Sequence, residues 1–164
     1  MYYDKNYLNI INHILKNDEF NKLKEIEHHG TTRFDHSIKV SYYSYKLAKF
    51  LKLNYKATAK AGLLHDFFIS DKNRTSKDKI KSTFVHPKYA LEKASKEFDL
   101  EKIEKDIIRT HMFPINLALP KYAESWLVSF VDKVVGTKEF CHKFKYKLSY
   151  ATNLYIIFLI NFIK

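Results

Sequence analysis

Apolar residues in this chain recur at three- and four-residue intervals, the period of a helix that buries one face. Tyr7, Ile11, Ile14 and Leu15 share such a face. Phe20, Leu23 and Ile26 resume the pattern after a polar break, and His28 to Thr32 reads as a turn. Thr32 followed by Asp35 resembles a capping box, with Asp where Glu or Gln is usual. It predicts a helix starting near Arg33, with Val40, Tyr43, Leu47 and Phe50 or Leu51 on its apolar face. Asn54 suits the cap of the next helix, which runs through Ala57, Ala61 and Leu64. Gly62 sits inside that helix, where it costs about 1 kcal/mol against alanine. Its presence there predicts a close approach by another helix.

Ser70 to Ser82 is polar and breaks the period, so it reads as an exposed loop. Pro87 suits the first turn of a helix carrying Ala90, Leu91, Ala94 and Phe98. Asp99 is placed to cap another helix, with Glu101 and Glu104 early and Arg109 late, as the helix dipole prefers. Pro114 and Pro120 bound a loop. Leu127, Phe130, Val131 and Val134 line a further helix, which Gly136 is expected to end or bend. The closing apolar run, Leu154 to Lys164, is apolar for about ten residues, whereas a membrane span needs about 20. It reads as a buried terminal helix.

Composition sharpens this picture. Three glycines and three prolines in 164 residues are few for a sheet joined by tight turns. The expected fold is a single all-α domain. With one cysteine, Cys141, the chain can form neither an internal disulfide nor a cysteine zinc cluster. That usage and the absence of signal-peptide features at the N-terminus suggest a cytoplasmic protein. The net charge of +11 favours an anionic partner. The lysines are scattered, without a dense arginine block, so a small phosphorylated substrate is favoured over nucleic acid.

The chemistry lies where polar residues interrupt apolar stretches. His65 and Asp66 end an apolar helix. His36 stands in the first turn of its helix, His86 precedes Pro87, His111 closes the helix of Ile107, and Asp132 lies inside an otherwise apolar segment. Each has an ordinary explanation taken singly: a cap, a dipole-favoured imidazolium, a surface pair. Together they would need six unrelated partners, since unpaired buried charge is costly. One shared metal site would satisfy them all.

This ordered set, with "RFDHSIKV", "AGLLHD", "VHPKYALEKA", "IIRTHMFP" and "SWLVSFVDK", resembles the HD-domain metal-dependent phosphohydrolase superfamily, in its two-metal subset. The resemblance spans a core of about residues 30–140 and implies a bundle of five or more helices, with helical extensions on both sides. It implies His36, His65, Asp66 and Asp132 as ligands of a first ion, Asp66 as the bridging carboxylate, and His86 and His111 as ligands of a second. The ions would be divalent first-row metals, iron or manganese ahead of cobalt, nickel or zinc. The implied activity is hydrolysis of a phosphate ester or anhydride, in a nucleotide, by a metal-activated water. Many members carry a lysine three residues after the aspartate; Ile69 stands there in this chain. Phosphate binding would then fall to Arg33, Lys72, Arg109 or Lys133. Two other readings use the same residues: a metal-stabilised nucleotide- or nucleic-acid-binding module without turnover, and a metal-dependent oxygenase. Oligomeric state is left open.

Overall fold

The computed structural model describes residues 4–28, 31–69 and 76–162. Among these, α1 (Lys5–Leu15), α2 (Asp18–Asn21) and a 3₁₀ turn at Lys22–Glu25 lead to two antiparallel two-residue strands, β1 (Glu27–His28) and β2 (Thr31–Thr32). The helices α3 (Arg33–Phe50), α4 (Tyr55–Leu64), α5 (Ser76–Glu97), α6 (Lys102–Thr110) and α7 (Ala123–Phe162) follow. The fold is all-α, as composition and period predict.

Local chemistry sets the helix starts. Thr32 caps α3, accepting from the Asp35 amide at 3.0 Å while its hydroxyl donates to the Asp35 carboxylate at 2.7 Å. Asn54 caps α4 by accepting from the Ala57 amide at 3.1 Å. The cap of α6 is Glu101 rather than Asp99. Its amide donates to Glu104 at 2.8 Å, and a Glu three residues after the cap is what such a box requires.

The pairing of α3 with α4 is the most extensive contact in the fold. A Cβ on Gly62 would lie 3.1 Å from Ser41 Cα, so the expected close approach at this glycine is present. It also corrects the face of α3. Ser37, Val40, Ser41, Ser44, Tyr45 and Ala48 face the core, while Tyr43, Phe50 and Leu51 are exposed and Leu47 is half-buried. At Ser41 a small side chain is required because the two backbones come too near there for a large one. Ser41 repays its burial by donating to the Ala59 carbonyl at 2.6 Å and accepting from Tyr7 Oη at 2.9 Å.

Three further expectations are corrected. Ser76 to Ser82 belongs to α5, not to a loop, and Ser70 to Thr75, with Lys72, lies outside the described residues. Pro87 lies within α5 rather than at its start, so the helix forgoes one backbone amide bond. Gly136 does not end α7, which runs on through it; nothing lies within 4 Å of where its Cβ would be. On α7 the core takes Leu127, Val128, Val131 and Val135, while Trp126, Phe130 and Val134 are exposed. The closing apolar run continues α7 as helix as far as Phe162, and the expected burial of its side chains lies outside the described residues. No helix is long and apolar enough to cross a membrane among the described residues.

Replacing Gly62 tests the α3–α4 crossing. Overpacking typically costs 1–3 kcal/mol, and the gain in helix propensity returns about 1. Gly62→Ala is therefore expected to lower stability by about 1 kcal/mol in urea unfolding, and a more stable variant would refute the tight crossing.

Candidate metal centre

Each of the six predicted residues comes from a helix or the residue just after one. His36 lies one turn into α3, His65 is the C-cap of α4 with Asp66 next, His86 lies in α5, His111 is the C-cap of α6, and Asp132 lies in α7. The structure brings all six together. Ligand atoms of His36, His65 and Asp66 lie within 4.8 Å of one another, as do those of His65, His111 and Asp132, and those of Asp66, His86 and His111. Asp66 is common to the first and last of these groups, consistent with a shared carboxylate. All are buried except Asp132, which is half-buried.

The imidazoles are held by the nitrogen that faces away from the cluster. His65 Nδ1 lies 2.8 Å from the Gly62 carbonyl, and His111 Nδ1 lies 2.8 Å from the Ile108 carbonyl. A carbonyl oxygen only accepts, so Nδ1 of both rings carries a proton and Nε2 is the other ring nitrogen. That Nε2 points inward. His65 Nε2 is fully buried without a hydrogen-bond partner, 3.5 Å from Asp132 Oδ1 and 4.0 Å from Asp66 Oδ2. His65 Nε2 and oxygens of Asp66 and Asp132 thus converge on one small interior volume. The donor set fits a divalent metal on this ground, and the outward hydrogen bonds are those that orient ligating histidines.

The second group is equally tight. His86 Nε2 lies 3.0 Å from His111 Nε2 and 3.2 Å from Asp66 Oδ1, and His111 Nε2 lies 3.6 Å from the same oxygen. Burial and the neighbouring His65 and His86 push the His111 pKa down to about 3, leaving it neutral and ligand-ready. His36 behaves in the opposite way. Burial opposes its charge, but hydrogen bonds to Asp132 Oδ1 at 3.0 Å and Glu139 Oε2 at 2.8 Å outweigh it and raise the pKa to about 9. Asp132 is held well below the usual carboxylate range: burial opposes this, and its contacts with His36 and His65 prevail.

The phosphate candidates are dispersed. Arg33 is buried, donates to the Phe68 carbonyl at 2.6 Å, lies 4.0 Å from Asp66 Oδ2 and stacks over the Phe68 ring at 3.9 Å. The Phe68 ring also stacks with His86, at 5.2 Å between centroids. Lys133 donates to the His111 carbonyl at 3.0 Å and to Ser129 Oγ at 2.8 Å, and burial lowers its pKa. It braces the turn that carries His111. Arg109 is exposed on α6. A cleft of about 360 Å³ borders the site at Phe68, Ile69, Tyr89 and Lys93. A larger cavity, about 660 Å³, lies at α1 and the N-terminal ends of α4 and α6 and contains none of the six residues.

Sequence reading missed Glu139. It stands seven residues after Asp132, two helical turns on and so on the same face of α7, and that spacing was the available signal. The family model described as HD domain matches residues 33–136, well over half of the chain. No curated protein and no solved structure gives a significant match.

Two opposed titrations make a pH prediction for metal-free protein. His36, raised from 6.5 to about 9, contributes stability in full below pH 6.5 and loses it as pH rises through 9. His111, lowered from 6.5 to about 3, contributes above 6.5 and loses it as pH falls toward 3. Melting temperature of the chelator-treated protein is expected to fall on both sides of pH 6.5. His36→Gln should flatten the alkaline limb up to pH 9; an unchanged limb would contradict the His36 environment.

Proposed function

Since the chain belongs to the HD-domain family, which includes metal-dependent phosphohydrolases, we propose that it hydrolyses a phosphate ester or anhydride of a small substrate, a nucleotide, at a two-metal centre. The observation that carries the reading is the buried His65 Nε2, which faces Asp66 and Asp132. In the proposal, His36, His65 and Asp132 hold one ion, His86 and His111 hold the other, and Asp66 serves both. Such ions, when bound, acidify water toward neutral pH and neutralise phosphoryl oxygens.

The chain's own residues supply the rest. Gly62 and Ile108 fix two imidazoles by their carbonyls. Arg33 orients Asp66 and Phe68 at the floor of the site. Burial keeps bulk water away from the ligands, so charge developing on phosphate is met in a low-dielectric setting where fixed cations act strongly. The net charge of +11 draws an anion toward the protein. With Ile69 where many members carry lysine, the phosphate meets the ions first; Arg109 and Lys72 remain the candidates for a second contact, because Arg33 and Lys133 are engaged within the protein.

Asp66→Ala removes a ligand shared by both ions. It is expected to abolish nearly all bound metal and all phosphate release in a panel of nucleotides and phosphodiesters with Mn²⁺ or Fe²⁺. His86→Ala should retain the fold and part of the metal while losing most turnover. Bound metal stabilises the native state by about 2.7 kcal/mol at a hundredfold excess over Kd. Chelator should therefore lower the melting temperature of the wild type and hardly affect Asp66→Ala. Wild-type protein that binds no metal would sink the site; a fully active His86→Ala would sink only its second ion. Metal binding without release from any phosphate compound would favour the binding module.

A further inference from the structure

Glu139 lies outside the ligand set and beyond the stretch that the family model covers. Its side chain is nonetheless only 9% exposed, and each carboxylate oxygen has its own partner. Oε2 accepts from His36 Nδ1 at 2.8 Å, and Oε1 accepts from Lys39 Nζ at 2.7 Å. The geometry is reciprocal between two helices. His36 and Lys39 stand one turn apart on α3, and Asp132 and Glu139 stand two turns apart on α7. Asp132 meets the inner nitrogen of His36 and Glu139 meets the outer one.

We infer that Glu139 is a positioning residue for the metal centre: it holds His36 by the outer ring nitrogen so that Nε2 faces the ions, and Lys39 anchors it in place. The inference rests on the metal-centre reading above. Its physical basis is the carboxylate's demand for a donor. An ionised carboxylate accepts only, so it fixes the proton on Nδ1 and leaves Nε2 as the ligand atom. His65 and His111 obtain the same fixation from backbone carbonyls of their own helices. Those two are C-caps, where helix carbonyls lack ladder partners, whereas His36 is followed by 14 more residues of α3, and its orienting acceptor comes from α7. A carboxylate further raises the basicity of the ring it holds, which a carbonyl does less strongly. A simple Lys39–Glu139 surface pair would require neither the burial of Glu139 nor its second oxygen on an imidazole.

The test compares full-chain wild type, Glu139→Ala, Glu139→Gln and Lys39→Met. Mn²⁺ affinity is measured by calorimetry, and melting temperature is measured on the metal-free proteins. Glu139→Ala is expected to weaken Mn²⁺ binding about 10–100-fold. Glu139→Gln retains an acceptor oxygen and should recover most of that loss, with Lys39→Met falling between wild type and Glu139→Ala. Introduced into His36→Ala, the Glu139→Ala change should cost no further affinity, because its effect runs through that ring. Should Glu139→Ala not fold, Glu139→Asp draws the carboxylate back by one methylene and should weaken binding in smaller measure. Wild-type affinity in Glu139→Ala, or a loss confined to metal-free melting temperature, overturns the positioning role while leaving the metal centre standing. A wild type that binds no Mn²⁺ overturns the metal centre and the role together.

Discussion

At the crossing of α3 and α4 two backbones approach so closely that a single methyl on Gly62 would crowd Ser41. The other features of the site depend on this contact. It brings the first turn of α3 beside the last turn of α4, and the His36 and His65 rings to 5.4 Å between centroids. It also imposes a small side chain at Ser41, whose buried hydroxyl is paired with the Ala59 carbonyl and Tyr7 Oη. Beside this crossing, Tyr7, Tyr42 and Tyr45 pack on one another. A site of buried imidazoles and carboxylates thus rests on a helix pair whose separation hydrophobic volume alone would have made larger.

The electrostatics follow from that placement. Three carboxylates, Asp66, Asp132 and Glu139, converge on four histidines with little access to water. Such groups must be compensated, and the structure does so unevenly. His36 takes up positive charge between Asp132 and Glu139, whereas His111, hemmed in by His65 and His86, stays neutral. One side of the cluster is therefore occupied by a proton that a cation would displace, and the other holds the neutral His111. Both conditions favour metal as pH rises, because ligation needs neutral imidazole.

The position of Asp132 relative to the rest is set by α7, which packs against α3, α4 and α6. Lys133 and Ser129 tie it to the carbonyl of His111, and Asp106 accepts from Ser125 Oγ at 2.8 Å. These buried polar links lock helix register in a way that Val128, Val131 and Val135 alone would not, since apolar contacts tolerate sliding. Lys133, the residue beside a predicted ligand, is one of these links.

Much of the site was legible in the chain because chemistry and period coincide there. His36, His65, Asp66, His86, His111 and Asp132 interrupt apolar helical stretches, and buried charge must be explained wherever it occurs. The caps Thr32 and Asn54 were equally plain, because capping is a local interaction between residues three apart. Tertiary packing decided what local signals leave degenerate. Period alone admits several faces of α3, and the close crossing chose Ser41 and Ser44 over Tyr43 and Leu47. The polar run from Ser76 and the proline at 87 read as a loop and a helix start, yet α5 passes through both and buries His86, Ala90 and Ala94. Gly136 shows the converse, a helix breaker by propensity that is carried through by the helix around it. Glu139 required the fold most of all. Its spacing from Asp132 put it on the right face, but only the meeting of α7 with α3 gave that carboxylate a histidine to hold.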